Sequence, residues 1–295
     1  MKILITGATG FIGQNLVKLL VDKNHEVHCI VRNKSDVSKI DNKIKIFRYD
    51  KNIDNLIIYF NNEKFDGVIH LASLFLATHT KNDISNLISS NVKFGTELLE
   101  ACTISDVKWF INTGTFWQNY ENEIYNPVNL YAATKEAFQN IAKYYTESSN
   151  LIFTTIKLND TFGPNDTRNK IFNLWNKIAK SGESLGMSSG AQIIDISYID
   201  DVINAYEILI SHLESDNKTS FKNKVFSVKS NERMTLKELS KIFEDAIKTN
   251  LNIEWGKRPY RKRESMIPWE KGEIIPNWKP KYTLKNAIIK TLRDN

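Results

Sequence analysis

Cysteine is scarce in this 295-residue chain, long apolar runs are missing, and so are repeats, low-complexity segments and flexible linkers. Two cysteines, Cys29 and Cys102, fall in a predicted strand and a predicted helix. They read as reduced core residues, which excludes a disulfide framework or thiolate metal centre, and no metal is expected. No apolar stretch approaches the roughly 20 residues of a membrane span. Met1-Lys2-Ile3-Leu4-Ile5 has one charge and breaks at Thr6-Gly7, so it reads as a strand and not an export signal; a cytoplasmic location is expected. What remains is a soluble globular composition, 41% hydrophobic and 25% charged, sized for one large domain or one and a half. The net charge of +6 suits an anionic small substrate and requires no nucleic acid.

Lys2–Thr6 is an apolar strand, and Gly7-Ala8-Thr9-Gly10-Phe11-Ile12-Gly13 follows at once. Leu16, Leu19 and Leu20 then mark the inner face of a helix. Strand, three glycines and helix make the context of a dinucleotide fingerprint, spaced GxxGxxG here and not GxGxxG. Gly7, Thr9, Gly10, Phe11, Ile12 and Gly13 are therefore cofactor-binding candidates, with the helix N-terminus offering N–H groups to phosphate.

The second strand, Glu26–Arg32, ends in Arg32-Asn33-Lys34 with no acid until Asp36. Arg32 and Lys34 suit a ribose 2′-phosphate, which favours NADP(H) over NAD. A third strand, Lys45–Tyr49, ends at Asp50, a candidate for the adenine amine. A fourth, Gly67–Ala72, should bring Leu71 and Ala72 to the cofactor, and the loop Ser73–Lys81 should cross the cleft with His79 on its surface. Helix is predicted over Ile84–Cys102, with Asn91 in a packing or water-organising role. The fifth strand, Lys108–Asn112, leads into Thr113-Gly114-Thr115-Phe116-Trp117. This alternation predicts an α/β protein, a Rossmann-type doubly wound parallel sheet.

Tyr131 and Lys135 are four apart in a predicted helix and share a face. An ammonium there is expected to lower the phenol pKa toward working pH, making Tyr131 an acid/base. By itself the spacing fits a surface contact as well.

In order along the chain, Gly7/Gly10/Gly13, His70-Leu71-Ala72, Asn91, Thr115, Tyr131-x-x-x-Lys135 and Gly163-Pro164 resemble the extended short-chain dehydrogenase/reductase superfamily, also known as the NAD-dependent epimerase/dehydratase family. The resemblance covers essentially the whole chain. It implies that Thr115 hydrogen-bonds a sugar carbonyl beside Tyr131, that Tyr131 is the acid/base, and that Lys135 holds the nicotinamide ribose. It also implies a nucleotide-diphosphate sugar as substrate and a homodimer built through the helices holding Asn91 and Lys135. Leu158–Arg168, Arg258–Glu264 and Pro276–Pro280 resemble the branch containing CDP-abequose and CDP-paratose synthases. That branch implies NADPH-dependent reduction of the 4-keto group of a CDP- or dTDP-linked 6-deoxy or 3,6-dideoxy sugar, in bacterial-type surface polysaccharide biosynthesis.

Within the superfamily, dehydratases place Asp-Glu directly after the Thr; Phe116-Trp117 cannot protonate a leaving hydroxyl, so dehydration is disfavoured. The Cys/His pair of epimerase-reductases has no counterpart, since Cys102 lies before the fifth strand. An NAD-dependent nucleotide-sugar 4-epimerase stays open as an alternative, and so does a non-catalytic dinucleotide sensor, although such proteins commonly lose the Tyr or Lys kept here. A reduced cofactor that arrives and leaves favours net reduction.

The C-terminal half begins with a sixth strand, Phe153–Leu158. Asp160 occupies a position often Asn in the superfamily and could accept sugar hydroxyls, or simply cap a turn. Ile194 stands where sugar epimerases often have an Arg that contacts the diphosphate, so that contact must come from elsewhere. Asp200 and Asp201 read as N-terminal helix charges. Lys257–Arg263 holds five basic residues in seven, with Arg258 and Arg261 favoured for the diphosphate and nucleic acid the least favoured partner. Substrate candidates are thus Thr115, Phe116, Trp117, Asp160, Arg168, Gln192, Arg258 and Arg261. Residues 1–160 are assigned to the dinucleotide-binding domain, its sheet also completed by parts of 190–230, and 161–295 mainly to a smaller substrate-binding α/β region.

Overall fold

The computed structural model describes residues 1–293, so the last two residues of the region assigned as 161–295 lie outside it. The N-terminal half alternates as expected: β1 (Lys2–Thr6), α1 (Phe11–Asp22), β2 (Glu26–Arg32), β3 (Lys45–Tyr49), α2 (Ile53–Glu63), β4 (Gly67–His70), α3 (Ile84–Ile88), α4 (Phe94–Ile104), β5 (Trp109–Thr115), α5 (Leu130–Glu147) and β6 (Ile152–Leu158). Then come β7 (Asp160–Phe162), α6 (Ile171–Ser181), β8 (Leu185–Met187), β9 (Ile193–Ile194), β10 (Ile196–Tyr198), α7 (Ile199–Glu214), β11 (Val225–Val228), β12 (Met234–Thr235), α8 (Leu236–Ile247), β13 (Ile253–Trp255) and α9 (Leu284–Arg293).

Seven strands form one sheet in the order β3-β2-β1-β4-β5-β6-β11, every pairing parallel. Both faces are buried, because alternate side chains feed two cores. Ile3, Ile5, Ile69, Ile111 and Ile156 pack on the side of α1 and α7. Leu4, Val68, Phe110 and Phe153 pack on the side of α2, α4 and α5. That double burial is why these strands read as near-continuous apolar runs. Strand order reverses between β1 and β4, so their carboxyl ends open the crevice where α/β sheets bind ligands.

The C-terminal residues build three two-stranded ribbons, β7 with β10, β8 with β13 and β9 with β12. Their core is not separate: Phe172, Trp175, Phe243 and Ile288 belong to the same cluster as Ile3 and Ile5. Asp200 and Asp201 do more than open α7. Asp201 accepts the N–H groups of Lys281 and Tyr282 at 2.8 and 3.3 Å, and Asp200 pairs with Lys290 at 2.8 Å, so they tie down the C-terminal segment. Both cysteines are buried and unpaired. No helix of the described residues is long and apolar enough to cross a membrane.

Two predicted elements differ. The fifth strand, expected over Lys108–Asn112, runs from Trp109 to Thr115 and so carries Thr115 at its end. The helix expected over Ile84–Cys102 is broken by a π-turn at Ser89–Lys93 and runs on to Ile104. Asn91, buried in that turn, receives the N–H of Leu74 at 2.7 Å and donates to the Leu74 carbonyl and Thr134 Oγ1, both at 3.0 Å. The extra residue rotates Asn91 onto the loop after β4; such turns often mark working sites.

Candidate active site

The glycine-rich turn is built for close backbone approach. Gly7 has φ of 75°, where a side chain is strained, and a Cβ there would stand 2.7 Å from the Ala72 nitrogen. At Gly13 a Cβ would lie 2.2 Å from the Gly7 carbonyl oxygen, so α1 packs directly on the turn. Gly10 is different: it is exposed, and its Cβ position meets only the Gly7 oxygen, at 3.3 Å. No side chain caps α1, which leaves the N–H groups of its first turn, Phe11 and Ile12 among them, free for an anion. Thr9 lies beside them, its carbonyl taken by Gln14 at 2.8 Å. A dinucleotide pyrophosphate fits this cradle.

At the end of β2, Arg32 and Lys34 are exposed as expected. A third cation joins them: Arg48 on β3 donates to the carbonyls of Asn33 at 2.8 Å and Ser35 at 3.3 Å, bracing the loop. Its place at the edge of the adjacent strand hid it in the sequence. Asp50 accepts Asn52 N–H at 2.9 Å and Asn55 Nδ2 at 2.8 Å, so the candidate adenine ligand is held rigidly at the start of α2. Leu71 and Ala72 follow β4 with their N–H groups on the Thr6 carbonyl and hydroxyl, both at 3.2 Å. The same hydroxyl meets His70 Nδ1 at 2.8 Å. Burial, reinforced by the Lys135 charge, pushes the His70 pKa down to about 3, so that imidazole stays neutral.

Tyr131 and Lys135 sit in the first turns of α5. Asn129 caps the helix by accepting Ala132 N–H at 3.0 Å, and its amide holds the carbonyls of Leu76 and Ala77. The expectation that Lys135 lowers the Tyr131 pKa is not met in the cofactor-free protein. Burial raises the phenol to about 12, helped by the Asp160 charge, with only Ser73 pulling the other way. Burial also lowers the Lys135 ammonium to about 8. Among the described residues no hydrogen bond or ion pair holds that ammonium. Sequence spacing placed the two groups on one face; burial, and not the Lys135 ammonium, sets the proton affinity of the phenol. At neutral pH Tyr131 is a protonated phenol, equipped to donate.

Phe75 stands edge-on to Tyr131 at 5.0 Å and 5.6 Å from Trp117. Trp117 is two residues past Thr115, whose Oγ1 accepts Trp117 N–H at 3.3 Å and so keeps its own proton to donate. Lys170 lies over Phe75 at 5.1 Å and pairs with Asp160. Arg261 lies over Trp117 at 5.2 Å and is forked onto Glu264 at 2.8 and 2.9 Å. Its guanidinium is thus largely spent, whereas Arg258 is exposed with no side-chain partner among the described residues.

Three expected substrate contacts fare differently. Phe116 is buried against Trp269, ring centroids 5.4 Å apart, and supports the turn from beneath. Gln192 is buried and turned onto Ser188 at 3.2 Å. Arg168 is forked onto Asp166 at 2.7 and 2.8 Å, bonds Thr161, and lies 4.5 Å over Phe11. It therefore braces the start of α1.

Beneath the site lies a polar group drawn from a turn, a helix and a strand: Gln118, Asn119, Glu136 and Lys157, all buried. Gln118 could have been suspected from its place three residues after Thr115, as a capping box, since the two close one. At the opposite end of the sheet, Glu26, His28 and Glu63 come within ligand distance of one another, but Lys2 and Lys45 pair with both acids and Tyr59 meets His28 Nδ1 at 2.7 Å. That cluster is already neutralised and is no metal candidate.

The sequence profile of the NAD dependent epimerase/dehydratase family matches residues 3–225. The CDP-abequose synthase of Yersinia pseudotuberculosis is 32% identical over 99% of this chain and 100% of its own length. That of Salmonella muenchen is 27% identical over 99% of this chain and 97% of its own length. Among solved structures, a UDP-glucose 4-epimerase with UDP-glucose from Thermotoga maritima superposes with a TM-score of 0.86, covering 100% of this chain and 98% of that one at 20% identity. A UDP-glucose 4-epimerase from Thermus thermophilus in complex with NAD gives 0.83, again over 100% and 98%, at 20% identity.

Proposed function

Since the chain belongs to the NAD dependent epimerase/dehydratase family, a family dependent on nicotinamide dinucleotides, we propose that it is an NADPH-dependent 4-ketoreductase of a nucleotide-linked 6-deoxy or 3,6-dideoxy sugar. The observation that carries this reading is the packing of Phe75 against both Tyr131 and Trp117, which brings the Tyr131 phenol to the turn where the Thr115 hydroxyl keeps a free proton; burial holds the phenol pKa up. A carbonyl oxygen accepting from both is polarised and then receives the Tyr131 proton as it becomes an alkoxide. Tyr131 regains its proton from solvent through the cleft. When bound, the nicotinamide supplies the hydride that adds to C4. Lys135 would hold the nicotinamide ribose, with its ammonium on the same helix face as Tyr131.

Arg32, Lys34 and Arg48 support a 2′-phosphate and hence NADP(H) over NAD. Arg258, unencumbered, is the better diphosphate ligand; Arg261 serves by stacking on Trp117. The full-length likeness to CDP-abequose synthases supports a deoxysugar substrate. Exposed Ile84 and Ile88 on α3 and Tyr144 on α5 support a homodimer through these helices.

The test is a panel of CDP-, dTDP- and GDP-linked 4-keto sugars with NADPH, followed by loss of the reduced-nicotinamide absorbance with the product read by NMR. Turnover with a deoxysugar is expected, and Tyr131→Phe should lose about 10²- to 10⁴-fold in kcat while still binding NADPH. Tightly retained NAD in the purified protein, with interconversion of C4 epimers and no net oxidation of NADPH, would replace this reading by a 4-epimerase.

A further inference from the structure

Thr115 does not hold its own position. Its N–H donates to Gln118 Oε1 at 2.8 Å, and the other end of that amide donates to Glu136 Oε2 at 2.5 Å. Glu136 is the residue after Lys135 on α5. Its Oε2 lies 3.8 Å from Lys157 Nζ, on β6, and Lys157 in turn donates to Asn119 Oδ1 at 2.7 Å. Asn119 closes the loop by donating to the carbonyls of Glu123 and Ile124 at 2.8 and 2.7 Å. Hydrogen bonds and one ion pair at 3.8 Å thus link the Thr115 turn to α5, to β6 and back to the loop preceding Tyr131.

Each member is buried, Gln118 completely, Lys157 and Asn119 to 3% exposure and Glu136 to 9%. Gly114 is part of the same device. A Cβ there would meet Gln118 Oε1 at 2.7 Å and Lys157 Cγ at 3.0 Å, so β5 carries a glycine where these two side chains press on its backbone. Trp269 covers Lys157, its ring 5.0 Å from Nζ, and packs on Phe116. Two opposite charges taken out of water contribute less to stability than an apolar pair of the same volume. What they contribute that an apolar pair cannot is a single allowed geometry for the groups bonded to them.

We infer that the buried Glu136–Lys157 pair, acting through Gln118, is the positioning device that sets where the Thr115 hydroxyl stands relative to Tyr131. Glu136 and Lys157 touch neither substrate nor cofactor; they are positioning residues, and this role rests on the reading that Thr115 and Tyr131 share a carbonyl oxygen. Lys135 and Glu136 are consecutive on α5. The helix therefore presents one buried residue to the cofactor and the next to the turn that carries Thr115, and a shift of either moves both.

The experiment compares Glu136→Gln, Lys157→Met, Lys157→Arg and the double variant Glu136→Leu/Lys157→Met. The double variant is expected to stay folded, with a Tm lowered by a few degrees because Gln118 Nε2 and Asn119 Oδ1 lose their charged partners, to bind NADPH still, and to lose at least about 10-fold in kcat. Lys157→Arg keeps the charge and should stay within about 3-fold of wild type in kcat, since an intact ion pair preserves the geometry. The Thr115 amide resonance should move in Glu136→Gln and in Lys157→Met and stay in place in Lys157→Arg. A double variant with wild-type kcat and an unmoved Thr115 resonance overturns the inference, as does a kcat loss that merely tracks the fraction unfolded. If the wild type turns over no 4-keto sugar, the proposed function fails; the Thr115 resonance then decides the positioning role alone.

Discussion

Replacing Lys135 by methionine should stabilise the cofactor-free protein while abolishing its activity. Burial lowers the Lys135 pKa from its ordinary 10.5 to about 8. At about 1.4 kcal/mol for each pH unit, keeping that ammonium in the folded interior costs about 3 kcal/mol. The sign follows from proton binding. Below pH 8 folded and unfolded states both carry the proton, and the full penalty stands. Between pH 8 and 10.5 the unfolded chain holds the proton and the folded one gives it up, so this group makes stability rise with pH. Lys135→Met keeps the stem and removes the charge. It should therefore gain about 3 kcal/mol over wild type near pH 7, several degrees in Tm for a chain of this size, and the gap should close toward pH 10.5. Urea unfolding followed by tryptophan fluorescence at several pH values measures it, with NADPH turnover recorded alongside. A variant that is less stable near pH 7, or a gap that ignores pH, would refute the burial penalty and mean that an unseen partner stabilises the ammonium. The expected pairing of higher stability with lost turnover is the signature of a charge kept for function.

Two further substitutions probe the cofactor cradle. Gly13→Ala forces a Cβ to 2.2 Å from one backbone atom and 2.7 Å from another, so a loss of about 3 kcal/mol or more is expected by thermal unfolding. Gly10→Ala meets only one atom, at 3.3 Å; it should fold normally and weaken NADPH binding, measured by fluorescence titration. If Arg32 holds a 2′-phosphate as proposed, Arg32→Ala should remove a charged hydrogen bond worth about 1.5–3 kcal/mol, and kcat/KM for NADPH should fall about 10- to 100-fold with that for NADH little changed.

Much of the architecture was legible because it is local. β1 through β4 fall within two residues of where the apolar runs put them, since strands buried on both faces advertise themselves and the glycines between β1 and α1 allow one kind of turn. Cys29 and Cys102 are buried in the strand and helix that contain them. The π-turn at Asn91 was not legible. It depends on the Leu74 backbone, which is near only in three dimensions. The partners of Arg168 were hidden for a similar reason: a basic residue after Gly163-Pro164 suggests an anion, and the fold sets it on Asp166 and over Phe11.

By itself the sequence determined the fold, the glycine cradle, the order of chemical groups and the spacing that puts Tyr131 and Lys135 on one helix face, all of them consequences of neighbours along the chain. Tertiary structure decided their electrostatics. Whether a phenol is acidic or a lysine basic depends on how much water the surrounding elements exclude, and that is set by α5 closing on β5 and the loop after β4. Tyr131 is thereby held as a protonated phenol, against the direction that its spacing from Lys135 alone suggests. The same packing brings Glu136, Lys157 and Gln118, from a helix, a strand and a turn, beneath Thr115. No pattern along the chain joins those residues, because what links them is a shared buried volume and not a sequence interval.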